Sequence, residues 1–204
     1  AAQDAVKNYS GKEIHLAPCY NYLIKKGKQI SIQEVDSIGI FGTPEEYKFF
    51  VKNSLKSLPA NKKTVGVCCD HSGYESKEAF KKLAAKLNLK VVDFGTFSAS
   101  DCDYSEHVKA TCKAILEDKC DFGFGFCRSG QGVNIAANKI PGIRSVLCYN
   151  NWAAAVGVKH NCANFFAMAE KFSGPLEIHN ALVEVMTNSF QGGRHQTRLM
   201  KNEH

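Results

Sequence analysis

The chain has 204 residues, 44% of them hydrophobic and 23% charged, and carries a formal net charge of +6. A mean hydropathy of −0.25, with no apolar run near the ~18–20 residues of a membrane span, sets an integral membrane protein aside. The positive excess divides equally between residues 1–62 and the remainder, a diffuse charge that suits a phosphorylated small molecule better than nucleic acid, which wants a clustered basic face.

Ala1 in place of an initiating Met suggests a processed start. Residues 1–30 lack a basic–apolar–small-residue leader, and Asp4 and Glu13 argue against a transit peptide, so a cytoplasmic location is expected. HLAP and QISIQEV read as short strands or loops. Thr43-Pro44-Glu45-Glu46 starts a helix, with a capping threonine and proline in the first turn, that should run to about Leu58, before Pro59. No catalytic constellation appears here. Residues 1–61 are expected to form an accessory extension packing on the main domain or on a partner subunit.

From Thr64 onward, short apolar runs alternate with helical periodicity. TVGVCC (64–69), LKVVDF (89–94), DFGFGFC (121–127), IRSVLC (143–148) and NFFAMA (164–169) read as strands. Ala79, Phe80, Leu83, Ala84 and Leu87 repeat at helical spacing behind a Ser72–Glu75 capping box. Further helices are predicted near 104–117, 130–139, 152–160 and 175–189. This alternation predicts an α/β fold: a Rossmann-like three-layer α/β/α sandwich with a mainly parallel five-stranded sheet over residues 62–204. Phe122, Phe124 and Phe126 share one face of the third strand, and Gly123 and Gly125 the other, where a helix can approach closely.

The nine cysteines are odd in number and form no CxxC pair, and Cys68, Cys69, Cys112 and Cys148 fall inside apparent strands and helices. They read as a reduced intracellular set rather than a zinc site.

The densest chemistry is Cys127-Arg128-Ser129-Gly130-Gln131-Gly132, where a strand ends and a helix begins. Ligands of open α/β sheets bind beyond the carboxyl ends of strands, and helix starts favour anions. Three anion loops fail against it. A P-loop would need Lys and Ser or Thr where Gln131 and Gly132 stand, a dinucleotide fingerprint would need glycine at Ile135, and a cysteine-phosphatase loop would need arginine at Val133. What remains is a thiol beside an anion-binding turn. By itself, Cys127 reads more readily as a buried strand cysteine than as a nucleophile or base.

Asp70-His71-Ser72-Gly73, the run from Cys127 to Lys139, Pro141-Gly142-Ile143-Arg144, His160-Asn161, Ala163-Asn164 and Gly192-Gly193-Arg194-His195-Gln196-Thr197-Arg198 together resemble the ribose-5-phosphate isomerase B family. The related galactose-6-phosphate isomerase subunits share the pattern. The likeness covers about residues 63–201, in order and without large gaps. It implies an aldose–ketose isomerase of a phosphorylated sugar, most plausibly ribose 5-phosphate and ribulose 5-phosphate. The expected assembly is a homodimer or a dimer of dimers with sites shared between subunits, using neither metal nor organic cofactor and engaging neither nucleic acid nor membrane.

The resemblance also assigns roles. Cys127 is the base that carries a proton between C2 and C1 through a cis-enediolate. Some relatives use a glutamate six positions later, but Val133 stands there. Ser129 and the N–H groups of Gly130, Gln131 and Gly132 would stabilise the enediolate oxygens. His160 opens the furanose ring, and Asn161 holds sugar hydroxyls. His71, Arg194 and Arg198 take the phosphate, the arginines from the neighbouring subunit, and Lys171 stands where relatives carry a third arginine. Asp70 and Tyr104 contact the sugar. Two departures bear on substrate choice: Arg128 replaces the first glycine of the usual Cys-Gly-Thr-Gly loop, and Cys162 stands where many relatives carry Asp or Asn. Arg128 is expected to reach the substrate. An isomerase of another tetrose, pentose or hexose phosphate, or a non-catalytic sugar-phosphate-binding subunit, is the alternative. Read without the family, GGRHQTR is only a basic, mobile tail.

Overall fold

The computed structural model describes residues 61–202. The helix expected to end near Leu58 and the short segments before it lie outside the described residues. Five strands form one wholly parallel sheet: β1 (Thr64–Cys69), β2 (Lys90–Asp93), β3 (Phe122–Cys127), β4 (Ser145–Leu147) and β5 (Phe165–Ala169), in the order β2-β1-β3-β5-β4. Between and after them come α1 (Tyr74–Lys86), α2 (Tyr104–Leu116), α3 (Gln131–Asn138), α4 (Asn151–Asn161), a 3₁₀ turn (Glu170–Phe172), α5 (Pro175–Thr187) and α6 (Arg194–Met200). The expected three-layer α/β sandwich is present.

The central strand explains the layering. Every residue of β3 is buried, so both its faces need cover. On one face Phe122, Phe124 and Phe126 pack with Phe80 of α1 and Phe166 of β5, with ring centroids 4.7 Å apart for Phe80–Phe124 and 5.3 Å for Phe124–Phe166. Residues of α4 and α5, among them Val158, Ile178 and Leu182, complete this side. On the other face α2 and α3 supply Val108, Cys112, Ile115, Val133 and Ala137. The close approach expected over the glycines occurs at Gly123, where a Cβ would meet Ile115 at 2.9 Å and Thr111 at 3.0 Å. Over Gly125 the space is filled by the Phe165 ring instead, 2.7 Å from such a Cβ.

The helix starts follow local chemistry. Asp103 and Asn150 cap α2 and α4, accepting from the N–H groups of Ser105 and Ala153 at 2.8 Å each, and Pro175 begins α5. The Ser72–Glu75 capping box is not formed. Gly73 is the capping position of α1 and receives no side-chain cap. The Asp70 carboxylate instead accepts the Gly73 N–H at 2.8 Å, which starts the helix one residue later than the box requires. Gly73 also presses on β3, where a Cβ would lie 2.5 Å from the Phe126 carbonyl oxygen. The segment GGRHQTR, a mobile tail by its own composition, is helical from Arg194.

One charged cluster lies beneath this surface. Lys77 of α1 is fully buried and donates to Asp93 at 2.6 Å, while Lys81 donates to the same carboxylate oxygen at 2.8 Å. The other Asp93 oxygen accepts the Gly95 N–H at 3.0 Å. Burial alone would push the Asp93 carboxyl up, but the bonds from Lys77, Lys81 and Gly95 outweigh it and hold it below its ordinary value.

Removing Asp93 would strand the Lys77 charge. Glu78, 3.3 Å from Lys77, compensates in part, so Asp93→Ala should cost about 3 kcal/mol at neutral pH by denaturant unfolding, the low end for breaking a buried pair. The native value of Asp93 is depressed, so its contribution is fully present above the unfolded carboxylate value of ~3.9 and is lost as pH falls through the lower native value. Asp93→Asn should therefore flatten the acid limb of stability against pH. An unchanged acid limb would show that the pair contributes nothing there.

Candidate active site

β1 and β3 are neighbours, yet the chain leaves β1 toward β2 on one side and returns to β3 on the other. The crevice beyond their carboxyl ends is the topological switch point, where open α/β sheets take ligands. The loop after β1 is fastened there by the Asp70 N–H, which donates to the Phe126 carbonyl at 3.1 Å. Cys127 ends β3 beside this loop, 4% exposed and in register with Ala169 of β5.

From Cys127 the chain turns through Arg128, Ser129 and Gly130 into α3. The turn requires glycine at position 130, where φ is +74° and a Cβ would lie 2.5 Å from Leu147 and 3.1 Å from the Ala169 nitrogen. Ser129 Oγ accepts the Gln131 N–H at 3.3 Å. The first turn of α3 keeps other N–H groups without helical acceptors, which favours an anion at this end. The Arg128 carbonyl accepts the Lys171 N–H at 3.2 Å, bringing these two exposed cationic residues to one rim. Tyr104, the first residue of α2, lies against α3: a Cβ on Gly132 would sit 2.7 Å from Tyr104 Cζ and 2.9 Å from its Oη. His71 is held by the loop before α2, its Nδ1 accepting the Cys102 N–H at 3.4 Å and lying 3.1 Å from the Asp101 carboxylate.

The eight cysteines of the described residues are all free. Burial pushes the thiols of Cys69, Cys112 and Cys148 up to about 12, which keeps them protonated at neutral pH. Among the described residues, no three His, Cys, Asp or Glu side chains are grouped to hold a metal ion, and no helix is long and apolar enough to cross a membrane.

The remaining residues singled out in the sequence gather elsewhere. His160 and Asn161 end α4, and Cys162 closes the helix in the left-handed region at φ +50°. The chain before α6 is tied to this helix by the Gln191 N–H, which donates to the Lys159 carbonyl at 3.0 Å. His195 of α6 then stacks on His160, with ring centroids 4.1 Å apart and planes 6° from parallel. Arg194 and Arg198, both exposed, flank His195 on α6. Desolvation, followed by the charges of His160, Arg194 and Arg198, holds the His195 imidazole below its ordinary value.

These two groups stand at opposite ends of the strands. α4 leads into β5, whose first residue, Phe165, pairs with Gly123 near the start of β3, whereas Ala169 pairs with Cys127 at its end. Four residues of strand separate those levels, about 13 Å at ~3.3 Å per residue. The structure thus brings Asp70, His71, Tyr104, Cys127, Arg128, Ser129, Gly130, Gln131, Gly132 and Lys171 to the carboxyl-end side of the sheet. It brings His160, Asn161, Arg194 and Arg198 to the other. Sequence reasoning missed the His160–His195 stack and the hold of Asp101 and Cys102 on His71. The place of His195 directly after Arg194, in a motif quoted for its arginines, was its one local signal.

A profile of the ribose/galactose isomerase family matches residues 65–201. The chain belongs to that family. Ribose-5-phosphate isomerase B of Escherichia coli is 32% identical over 138 residues, covering 67% of this chain and 92% of the relative. The structure of Clostridium thermocellum ribose-5-phosphate isomerase B superposes with a TM-score of 0.67 at 35% identity, over 69% of this chain and 95% of the other. That of the Mycoplasma genitalium ribose-5-phosphate isomerase B, determined with bound ribulose 5-phosphate, gives a TM-score of 0.65 at 26% identity, over 69% and 93% of the two chains. The protein is an aldose–ketose isomerase of the sugar-phosphate class.

The contact between Tyr104 and α3 can be tested for its bearing on that activity. In Gly132→Ala the new methyl must swing the phenol away, since the strand and helix backbones are fixed. Turnover should fall by roughly tenfold to a hundredfold, as expected for a displaced positioning group, while the melting temperature changes little. Full activity in this variant would remove Tyr104 from the site.

Proposed function

We propose that the enzyme interconverts ribose 5-phosphate and ribulose 5-phosphate, with Cys127 as the base and with each site assembled from two copies of the chain. The observation that carries this reading is the position of Cys127, a buried thiol at the switch-point crevice beside the start of α3. The start of α3 also supplies backbone N–H groups that can meet negative charge developing on the substrate oxygens. The names of the Escherichia coli and Clostridium thermocellum relatives and the ribulose 5-phosphate bound to the Mycoplasma genitalium relative support the choice of sugar.

In the proposed reaction His71, Arg194 and Arg198 hold the phosphate, the arginines by forked hydrogen bonds. Lys171 adds charge at the same rim, and Asp70, Tyr104 and Asn161 contact the sugar. His160 moves the proton that opens the furanose ring, a task suited to an imidazole. The Cys127 thiolate takes the proton from C2 of the open aldose, and the charge passes to the oxygens of a cis-enediolate. The Ser129 hydroxyl and the N–H groups around Gly130, Gln131 and Gly132 stabilise those oxygens. Cys127 then returns the proton to C1 while the O2 hydroxyl proton passes to O1 within the enediolate, giving the ketose. The metal-free, cofactor-free chemistry implied by the family resemblance needs nothing more.

The assembly follows from the separation of the two groups. His160, Arg194 and Arg198 lie across the sheet from their own Cys127, so a site that uses all four draws them from a second copy. Cys127→Ala and Arg198→Ala homodimers should each be inactive. Mixed after subunit exchange, they should regain about a quarter of wild-type activity, because half the dimers carry one intact site of two. No recovery after verified exchange would return the arginines to their own subunit's site. Cys127→Ala should abolish isomerisation while leaving sugar-phosphate binding nearly intact, since a proton carrier adds little to ground-state affinity. Turnover at the wild-type rate would exclude the cysteine base.

A different sugar phosphate is the second reading, favoured by Arg128. Its exposed position between Cys127 and α3 lets its bulk exclude six-carbon phosphates and its charge meet a phosphate or sugar oxygen. Arg128→Gly should then shift the ratio of hexose 6-phosphate to ribose 5-phosphate activity upward by roughly tenfold, the value of a gained fit in a pocket. An unchanged ratio would place Arg128 outside specificity.

A further inference from the structure

We infer that His195 is a positioning residue for His160, fixing the plane of the ring-opening imidazole by stacking face to face and serving as its neutral partner while the proton moves. The inference rests on the ring-opening role proposed above for His160.

The geometry carries it. Centroids 4.1 Å apart and planes 6° from parallel leave the His160 ring no freedom to rotate about its long axis without losing the stack. The contact joins two elements far apart in sequence, and the Gln191–Lys159 bond at 3.0 Å ties the same elements a few residues away. The end of α4 is thus fastened at two points to α6 and the chain leading into it, one backbone and one aromatic.

Protonation of the pair is constrained by the same contact. Two imidazolium rings at this distance repel, so only one of them can hold a proton comfortably. The charged groups facing His195 are His160 from α4 and Arg194 and Arg198 from its own helix, and all act against its charged form. The charged form of His195 is therefore disfavoured, and a flat neutral ring beneath an imidazolium is a favourable partner. Arg194 and Arg198 remain available to the phosphate.

Ring opening can be observed apart from isomerisation. In Cys127→Ala the carbon-bound proton no longer moves, and exchange between the α and β anomers of ribose 5-phosphate, followed by saturation-transfer NMR, reports opening alone. The full-length Cys127→Ala enzyme should accelerate this exchange, and adding His160→Ala should abolish the acceleration. Adding His195→Ala should slow it by roughly tenfold to a hundredfold, the cost of a misaligned proton-transfer group, at an unchanged half-saturating substrate concentration. Adding His195→Phe, which keeps a flat ring and cannot titrate, should restore most of the rate. Should His195→Ala fail to fold, His195→Leu supplies a side chain of bulk without a plane.

Exchange as fast with His195→Ala or His195→Leu as in the parent overturns the positioning role. So does His195→Phe proving as slow as those variants, because the residue would then be carrying protons itself. Exchange that His160→Ala leaves untouched overturns the ring-opening role of His160, and the positioning role with it. Loss with His160→Ala alone overturns only the present inference.

Discussion

A helix joining two parallel strands must run back across the sheet, and the placement of every candidate residue in this enzyme depends on that return. Residues that follow a strand collect at the carboxyl ends of the strands, and residues that close a crossover helix collect at their amino ends. Cys127, Asp70 and His71 follow strands, while His160 and Asn161 close α4. The short helix α6 is fastened to that same closing end. No rotamer change can span four residues of strand, so a chemistry that needs both groups needs two copies of the chain. In the reading proposed above, sharing of the site between copies would follow from crossover geometry as much as from surface complementarity.

The strand end that holds Cys127 is shaped by where side chains are missing. β3 gives three phenylalanines to one face, and its glycines let Thr111, Ile115 and Phe165 close down on the other. At its end the same economy continues in the turn. Gly73 lets the loop after β1 touch the Phe126 carbonyl, Gly130 takes a left-handed conformation against β5, and Gly132 receives Tyr104. A side chain at Gly73 or Gly130 would press on the backbone at the end of β3 or β5, whereas one at Gly132 would displace only the Tyr104 phenol. Arg128 is the exception in this stretch, and it is tolerated because its side chain is exposed while its carbonyl is fixed by Lys171.

The strands were legible because each is a short apolar run bounded by polar residues, and the sheet's parallel character followed from the helices between them. The edge of the site was legible for the same reason, since Cys127 ends a strand whose next residues break it. Where the reading failed, a nonlocal partner decided. The sequence Ser72-Gly73-Tyr74-Glu75 has the form of a capping box, but Asp70 competes for the same backbone, held in place by its bond to the Phe126 carbonyl on β3. GGRHQTR has no apolar face of its own to announce a helix. It gains order from Leu199 and from the contact of His195 with an imidazole 35 residues away. Roles for individual residues came from resemblance, because no spacing rule joins Cys127 to His160 when geometry sets them at opposite ends of the strands.

Lys77 shows how a contact with no visible role in the chemistry reaches the site. Its ammonium is fully buried and needs Asp93, and Asp93 in turn takes the Gly95 N–H. The Gly95 carbonyl accepts the Cys69 N–H at 2.7 Å, and the Thr96 N–H donates back to the Cys69 carbonyl at 3.1 Å. The chain leaving β2 is thereby laced to the end of β1, one residue before Asp70. It then continues as the loop whose Asp101 and Cys102 hold the His71 ring. The histidine proposed for the phosphate is steadied by a loop whose start depends on a charge pair two elements away. A buried lysine, costly in itself, is retained here where its partner anchors the chain that forms one wall of the crevice.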